Sequence, residues 1–125
     1  MADLDLVAAS LRADAADTRG LAEALALRLE DALPHDTRVE RRSKGLLSRS
    51  KQVRRIEVDC GESLYSLDVD EHGRAEAVRA QEVRGIVLKT EPLGVDEWID
   101  ALARDLTALA ERSERGRVAL ERLLV

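Results

Sequence analysis

The amino-acid sequence predicts an α+β domain: a long N-terminal helix, an antiparallel meander of four or five strands, and a long C-terminal helix, with both helices on one face of the sheet. Three observations carry that expectation. Apolar residues recur at alternating steps of three and four near both ends of the chain, the step falls to two in the middle, and glycine-bearing segments punctuate the change. A chain of 125 residues has the length of one ordinary domain, so 1–125 reads as a single unit.

The first helix is expected over residues 4–33, where Leu4, Ala8, Leu11, Ala15, Thr18, Ala22, Leu25, Leu29 and Ala32 form a heptad stripe. Val7, Leu21 and Leu33 widen the stripe toward the face that a globular core needs. Gly20, in mid-pattern, costs roughly 1 kcal/mol against Ala and makes residues 17–20 the place for a kink. Pro34 ends the helix. The last thirty or so residues repeat the pattern through Ile99, Leu102, Leu106, Leu109, Ser113, Gly116, Leu120 and Leu123. Pro92 and Gly94 precede this helix, and Asp96 and Glu97 place carboxylates in its first turn, where free amides and the positive dipole end favour them.

Between the helices, Ile56, Val58 and Cys60 alternate with Arg55, Glu57 and Asp59, and Tyr65, Leu67 and Val69 alternate with Ser66, Asp68 and Asp70. A period of two marks half-buried strands. Gly61 and the Glu71-His72-Gly73 segment supply the turns that join them. An earlier strand is expected around Val39, and a later one over 75–81. The apolar run 83–88 around Gly85 reads as a more buried strand.

Element order and size resemble those of the bacterial YbaB/EbfC nucleoid-associated family. The likeness is one of architecture, and the turn Asp70-Glu71-His72-Gly73-Arg74, leading through Val78 to Leu93-Gly94-Val95-Asp96-Glu97, is similar to it in texture. It implies a small dimeric protein with a long N-terminal helix, a short sheet and a C-terminal helix, working on the nucleoid.

Composition narrows the function classes. Hydrophobic residues make up 45% of the chain and aromatic residues 2%, namely Tyr65 and Trp98, so an aliphatic core is expected. A net charge of −5 argues against a protein that coats nucleic acid with its whole surface. Cys60 is the only cysteine, which fits a reducing compartment. The start Met1-Ala2-Asp3-Leu4-Asp5 is acidic where a secretory signal is basic, and no apolar run nears the ~18 residues of a spanning helix. A cytoplasmic bacterial protein is therefore the expectation.

The sharpest local feature is the segment 41–55, which holds seven basic residues and no acid in an acidic chain. Arg41, Arg42, Lys44, Arg49, Lys51, Arg54 and Arg55 would create a local positive field, with Leu46 and Leu47 at the tip of a long hairpin. Four readings fit: phosphate contacts on nucleic acid, insertion at an anionic membrane surface, docking on an acidic protein, or a solvated loop that keeps a strand edge from pairing. No aromatic residue in the segment offers a base-stacking platform.

Chemistry-bearing residues are sparse. His35 and His72 lie apart, and one Cys with two dispersed His falls short of a zinc set. His72 beside Asp70 and Glu71 is explained by a charged tight turn. Cys60 falls on the inward phase of its strand, the position of a small buried hydrophobe. Neither a glycine-rich phosphate loop nor a nucleophile with spaced His and Asp is present, so no catalytic residue, cofactor, metal or small-molecule substrate is expected.

The heptads are the remaining lead. Helices of ~30 residues, about 45 Å long, outrun strands spanning under ~25 Å and leave apolar stripe for a second subunit. Leu4, Leu11, Leu25, Leu29, Ile99, Leu102, Leu106, Leu109, Leu120 and Leu123 are the expected dimer or helix-packing residues. The sequence thus points to a noncatalytic homodimeric interaction protein with an unidentified protein partner. A nucleoid-type DNA binder, or a peripheral binder of anionic membranes, using the hairpin 41–55 is the alternative.

Overall fold

The computed structural model describes residues 18–43, 51–112 and 114–124. Helix α1 (Thr18–Ala32) leads into five strands, β1 (Thr37–Ser43), β2 (Lys51–Asp59), β3 (Ser63–Val69), β4 (Ala75–Val83) and β5 (Ile86–Leu93). Two helices follow, α2 (Val95–Arg112) and α3 (Glu114–Leu124). The strands form one antiparallel meander in chain order, with β1 and β5 at its edges.

Alternation builds the sheet as the sequence predicts. Val53, Ile56, Val58, Tyr65, Leu67, Val69 and Ala77 are buried on one face. Register pairs such as Ile56 with Leu67 and Leu67 with Ala77 align them into rows across three strands. Helix α1 packs on β1, β2 and β3, α2 packs on β4, and α3 packs on α1 and α2. Gly61 and Gly73 take φ of +90° and +80° in the turns that the sequence marks. In the second turn, the Asp70 carboxylate accepts the amides of His72 and Arg74. Those bonds, that of Arg74 foremost, hold its carboxyl below the usual range.

The long helices of the sequence reading are corrected. Described helix at the N-terminal end is α1, of 15 residues, unbroken through Gly20. The expected single C-terminal helix is two, of 18 and 11 residues. Residue 113, between them, lies outside the described residues. By packing on α1 and α2, α3 buries Leu123 in the core and half-buries Leu120. Helices of about 22–27 Å match strands of seven to nine residues, so the length mismatch that called for a second subunit is gone among the described residues.

Leu25, Leu29, Ile99, Leu102, Leu106 and Leu123 all lie in the core of this one chain. Leu109 and Leu120 are half-buried, and Leu4 and Leu11 lie outside the described residues. The core is not purely aliphatic, because both aromatics sit at its centre. Trp98 meets Tyr65 edge-on, with ring centroids 5.9 Å apart and an interplanar angle of 82°. The Trp98 indole N–H donates to the Val78 carbonyl at 3.2 Å, tying α2 to β4.

The run 83–88 is the other correction. It is not a buried strand. Val83 pairs with Ile86 around a two-residue turn in which Arg84 has φ +53° and Gly85 φ +81°. Two successive positive φ values define the hairpin turn whose twist matches antiparallel strands, and glycine is the residue that enters that region freely.

Candidate interaction surface

The basic segment comes first. β1 and β2 pair from Thr37 opposite Val58 to Ser43 opposite Lys51, and a bulge leaves Arg54 without an opposite residue. At the bulge, the Val53 amide donates to Glu23 of α1 at 2.6 Å. Arg41 forks onto both carboxylate oxygens of Glu30 on α1, at 2.6 and 3.3 Å. Arg55 donates to Glu57 at 2.7 Å and to both oxygens of Asp68 at 2.8 and 2.9 Å. Their guanidinium groups are held further toward the charged form by Glu30 and by Glu57 and Asp68 respectively. Arg42 reaches the Val69 carbonyl and lies 4.0 Å from Glu71.

Three of the seven bases are therefore compensated within the fold. Lys51 and Arg54 are exposed. Lys44, Leu46, Leu47 and Arg49 lie outside the described residues. Arg42, Arg54, Asp70, Glu71 and His72 line a shallow depression of about 500 Å³, so this end of the sheet carries both signs of charge.

A polar cluster occupies the opposite end of the helix-covered face. The Tyr65 hydroxyl donates to the Asp105 carboxylate in a short hydrogen bond. Arg79 lies 5.8 Å from the centroid of the Tyr65 ring and 3.7 Å from Asp105, and donates to Ser63 Oγ at 3.4 Å. Burial, reinforced by Asp105, raises the Tyr65 hydroxyl well above its ordinary range. Burial, with Asp105 as the next cause, pushes the Cys60 thiol up to about 12. Both groups stay protonated at neutral pH, so the cluster locks β3 and β4 to α2 and offers no activated nucleophile. Among the described residues, no three His, Cys, Asp or Glu gather as a metal site.

Sequence reasoning missed the tip of the β4–β5 ribbon. Val83, Ile86, Val87 and Leu88 are 43%, 64%, 53% and 62% exposed. Register explains why. β4 pairs with β3 only as far as Gln81, so the ribbon runs on past the central strand. Val83 and Ile86 lie on the helix-covered face and Val87, opposite Glu82, on the other, while a bulge leaves Leu88 without an opposite residue. A tip apolar on both faces has no single face to bury against its own sheet. The signal for this was in the sequence: Arg84-Gly85 interrupts the apolar run with a charge and a glycine, the mark of a two-residue turn.

A groove lies between α1 and α3, and its Val118 is 42% exposed. Val118, Asp31, Glu121 and Arg122 line this groove of about 400 Å³, and Arg122 donates to the Asp31 carbonyl at 3.2 Å. Among the described residues, no helix is long and apolar enough to cross a membrane. The chain matches no protein-family model, and no curated protein or solved structure matches it, so nothing in these comparisons bears on a likeness to the YbaB/EbfC family.

Proposed function

We propose that this chain is a noncatalytic interaction protein that engages another protein through the tip of its β4–β5 ribbon. One observation carries the reading: four aliphatic side chains stand together in solvent on a ribbon that overhangs the sheet. A contiguous apolar patch of a few hundred Å² is the mark of a contact surface on a folded chain. The inert Cys60 and Tyr65 support a noncatalytic role, and the single cysteine supports a reducing, cytoplasmic setting.

The test is a benzophenone side chain placed at position 87 in living cells. Irradiation is expected to give a covalent protein adduct there and none from the same group at Glu76, an exposed strand position. Absence of any adduct at 87 would remove the reading.

A second reading is favoured by Lys51 and Arg54, which stay exposed. An anionic partner, nucleic acid above all, would meet them. Duplex DNA binding that falls steeply with salt and disappears in a Lys51→Ala, Arg54→Ala chain would establish it. Binding indifferent to those changes would dismiss it.

A further inference from the structure

Resting on the interaction reading above, we infer that the partner at the tip is a second copy of this chain, whose groove between α1 and α3 receives the tip while its own tip enters the groove of the first. Val83, Ile86, Val87 and Leu88 make the convex tip, and Val118 lines the groove together with Asp31, Glu121 and Arg122. Seating one in the other covers the tip and Val118. The groove, of about 400 Å³, is open to solvent, and Ile86 and Leu88 are the most exposed pair on the tip.

Charge agrees with shape. Arg84 and Lys89, the latter 4.0 Å from Glu91 of its own strand, flank the tip, while Asp31 and Glu121 wall the groove. Asp31 lies in the last turn of α1, where the negative end of the helix dipole also favours a cation. Arg122, a base in that wall, donates to the Asp31 carbonyl.

Topology makes the exchange reciprocal. α1 ends where β1 begins, opposite the foot of β2, and the β4–β5 tip projects past the start of β3 at that same end of the sheet. Two copies meeting end to end about a two-fold axis therefore each present a tip and a groove, a closed arrangement rather than a growing chain. Two tip-and-groove contacts bury twice the area of one, and stable interfaces begin at ~1,200 Å².

Pairing through the β5 edge is the competing route to a dimer, and it is blunted. The Glu82 amide donates toward β3, to Glu62, so alternate residues of β4 turn to β5 and meet Glu91 and Lys89. Thr90 and Pro92 are left facing the free edge, and Pro92 has no N–H to give.

The experiment combines light scattering with the position-87 cross-linker. The purified chain is expected to approach twice its monomer mass as concentration rises, and the adduct to be a dimer whose cross-linked peptide comes from the α1 or α3 wall of the groove. An Ile86→Asp, Leu88→Asp chain should associate at least about tenfold more weakly with its melting temperature unchanged. Arg84→Glu and Glu121→Arg should each weaken association, and the two together should restore it.

A monomer at every soluble concentration overturns the inference, as does a self-adduct mapped away from the groove. A position-87 adduct with a protein of another mass overturns it too, yet upholds the interaction reading. No adduct sinks both.

Discussion

Two ribbons of this chain run past the central strand at opposite ends of the sheet, and they resolve the overhang differently. β1 and β2 extend beyond β3 because β2 pairs with it only from Arg55 onward, and β4 and β5 extend beyond it at Gln81. The first ribbon is tied back from both sides, by Glu23 and Glu30 of α1 and by Asp68 and the Val69 carbonyl of β3. The second is held past Gln81 by the Glu82 amide on the Glu62 carbonyl, while the apolar side chains of its tip stand exposed. Reach is the difference. An arginine extends several bonds from its backbone and can bend to a carboxylate one strand or one helix away, while a branched aliphatic side chain stops where its strand leaves it. A run of charge can thus neutralise itself within the fold, and a run of aliphatics at a turn cannot.

The contrast breaks or sharpens under measurement, most strongly in thiol chemistry. Cys60, at the foot of the first ribbon, has its thiol pushed up to about 12, against ~8.5 for a free thiol. At pH 8 iodoacetamide should modify it on the order of a thousandfold more slowly than a Val87→Cys thiol on the second. Equal rates would show that Cys60 is not shielded. Because the folded value is the raised one, the protonated thiol favours the folded state. That contribution is complete below the unfolded value near 8.5 and is lost as pH climbs from there toward about 12. Alkaline titration of the melting temperature should therefore decline across that window, and less so in a Cys60→Ala chain.

Packing gives the next largest separation. Ile56 of β2 is fully buried, and its replacement by Ala should cost about 2–5 kcal/mol in urea unfolding. Ile86→Ala, the same chemical change on β5, should stay within about 0.5 kcal/mol. A large loss at Ile86 would mean that the tip is covered within one chain. The ion pairs come third. Arg55→Ala removes bonds to Glu57 and Asp68 at a site about a third exposed, so after solvent screening its cost should be about 1 kcal/mol. Lys51→Ala should be near neutral. Smallest is Arg84→Asn at the turn, where φ is +53°. Asparagine tolerates that region better, and unfolding should show a gain of about 0.5 kcal/mol.

How much was legible in the sequence follows the same physics. The meander could be read because alternation at Ile56, Val58, Tyr65 and Leu67 is a local property, and Gly61 and Gly73 fix its turns. The packing of α3 on α1 and α2 was invisible, because apolar spacing records which side of a helix faces the core and not the direction of its axis. Compensation of Arg41 and Arg55 was equally hidden, since Glu30 and Asp68 stand 11 and 13 residues away in sequence and meet them only through the fold. At 83–88 the run's hydrophobicity argued for burial while Arg84-Gly85 argued for a turn, and the turn prevailed.

Trp98 has a further use. It is the chain's single tryptophan, fully buried, edge-on to Tyr65 and bonded through its indole N–H to β4. The protein therefore carries an intrinsic optical reporter at the junction of sheet and helix. Its emission should move to longer wavelength when the core opens and stay fixed when tips meet grooves, so one spectrum separates unfolding from assembly.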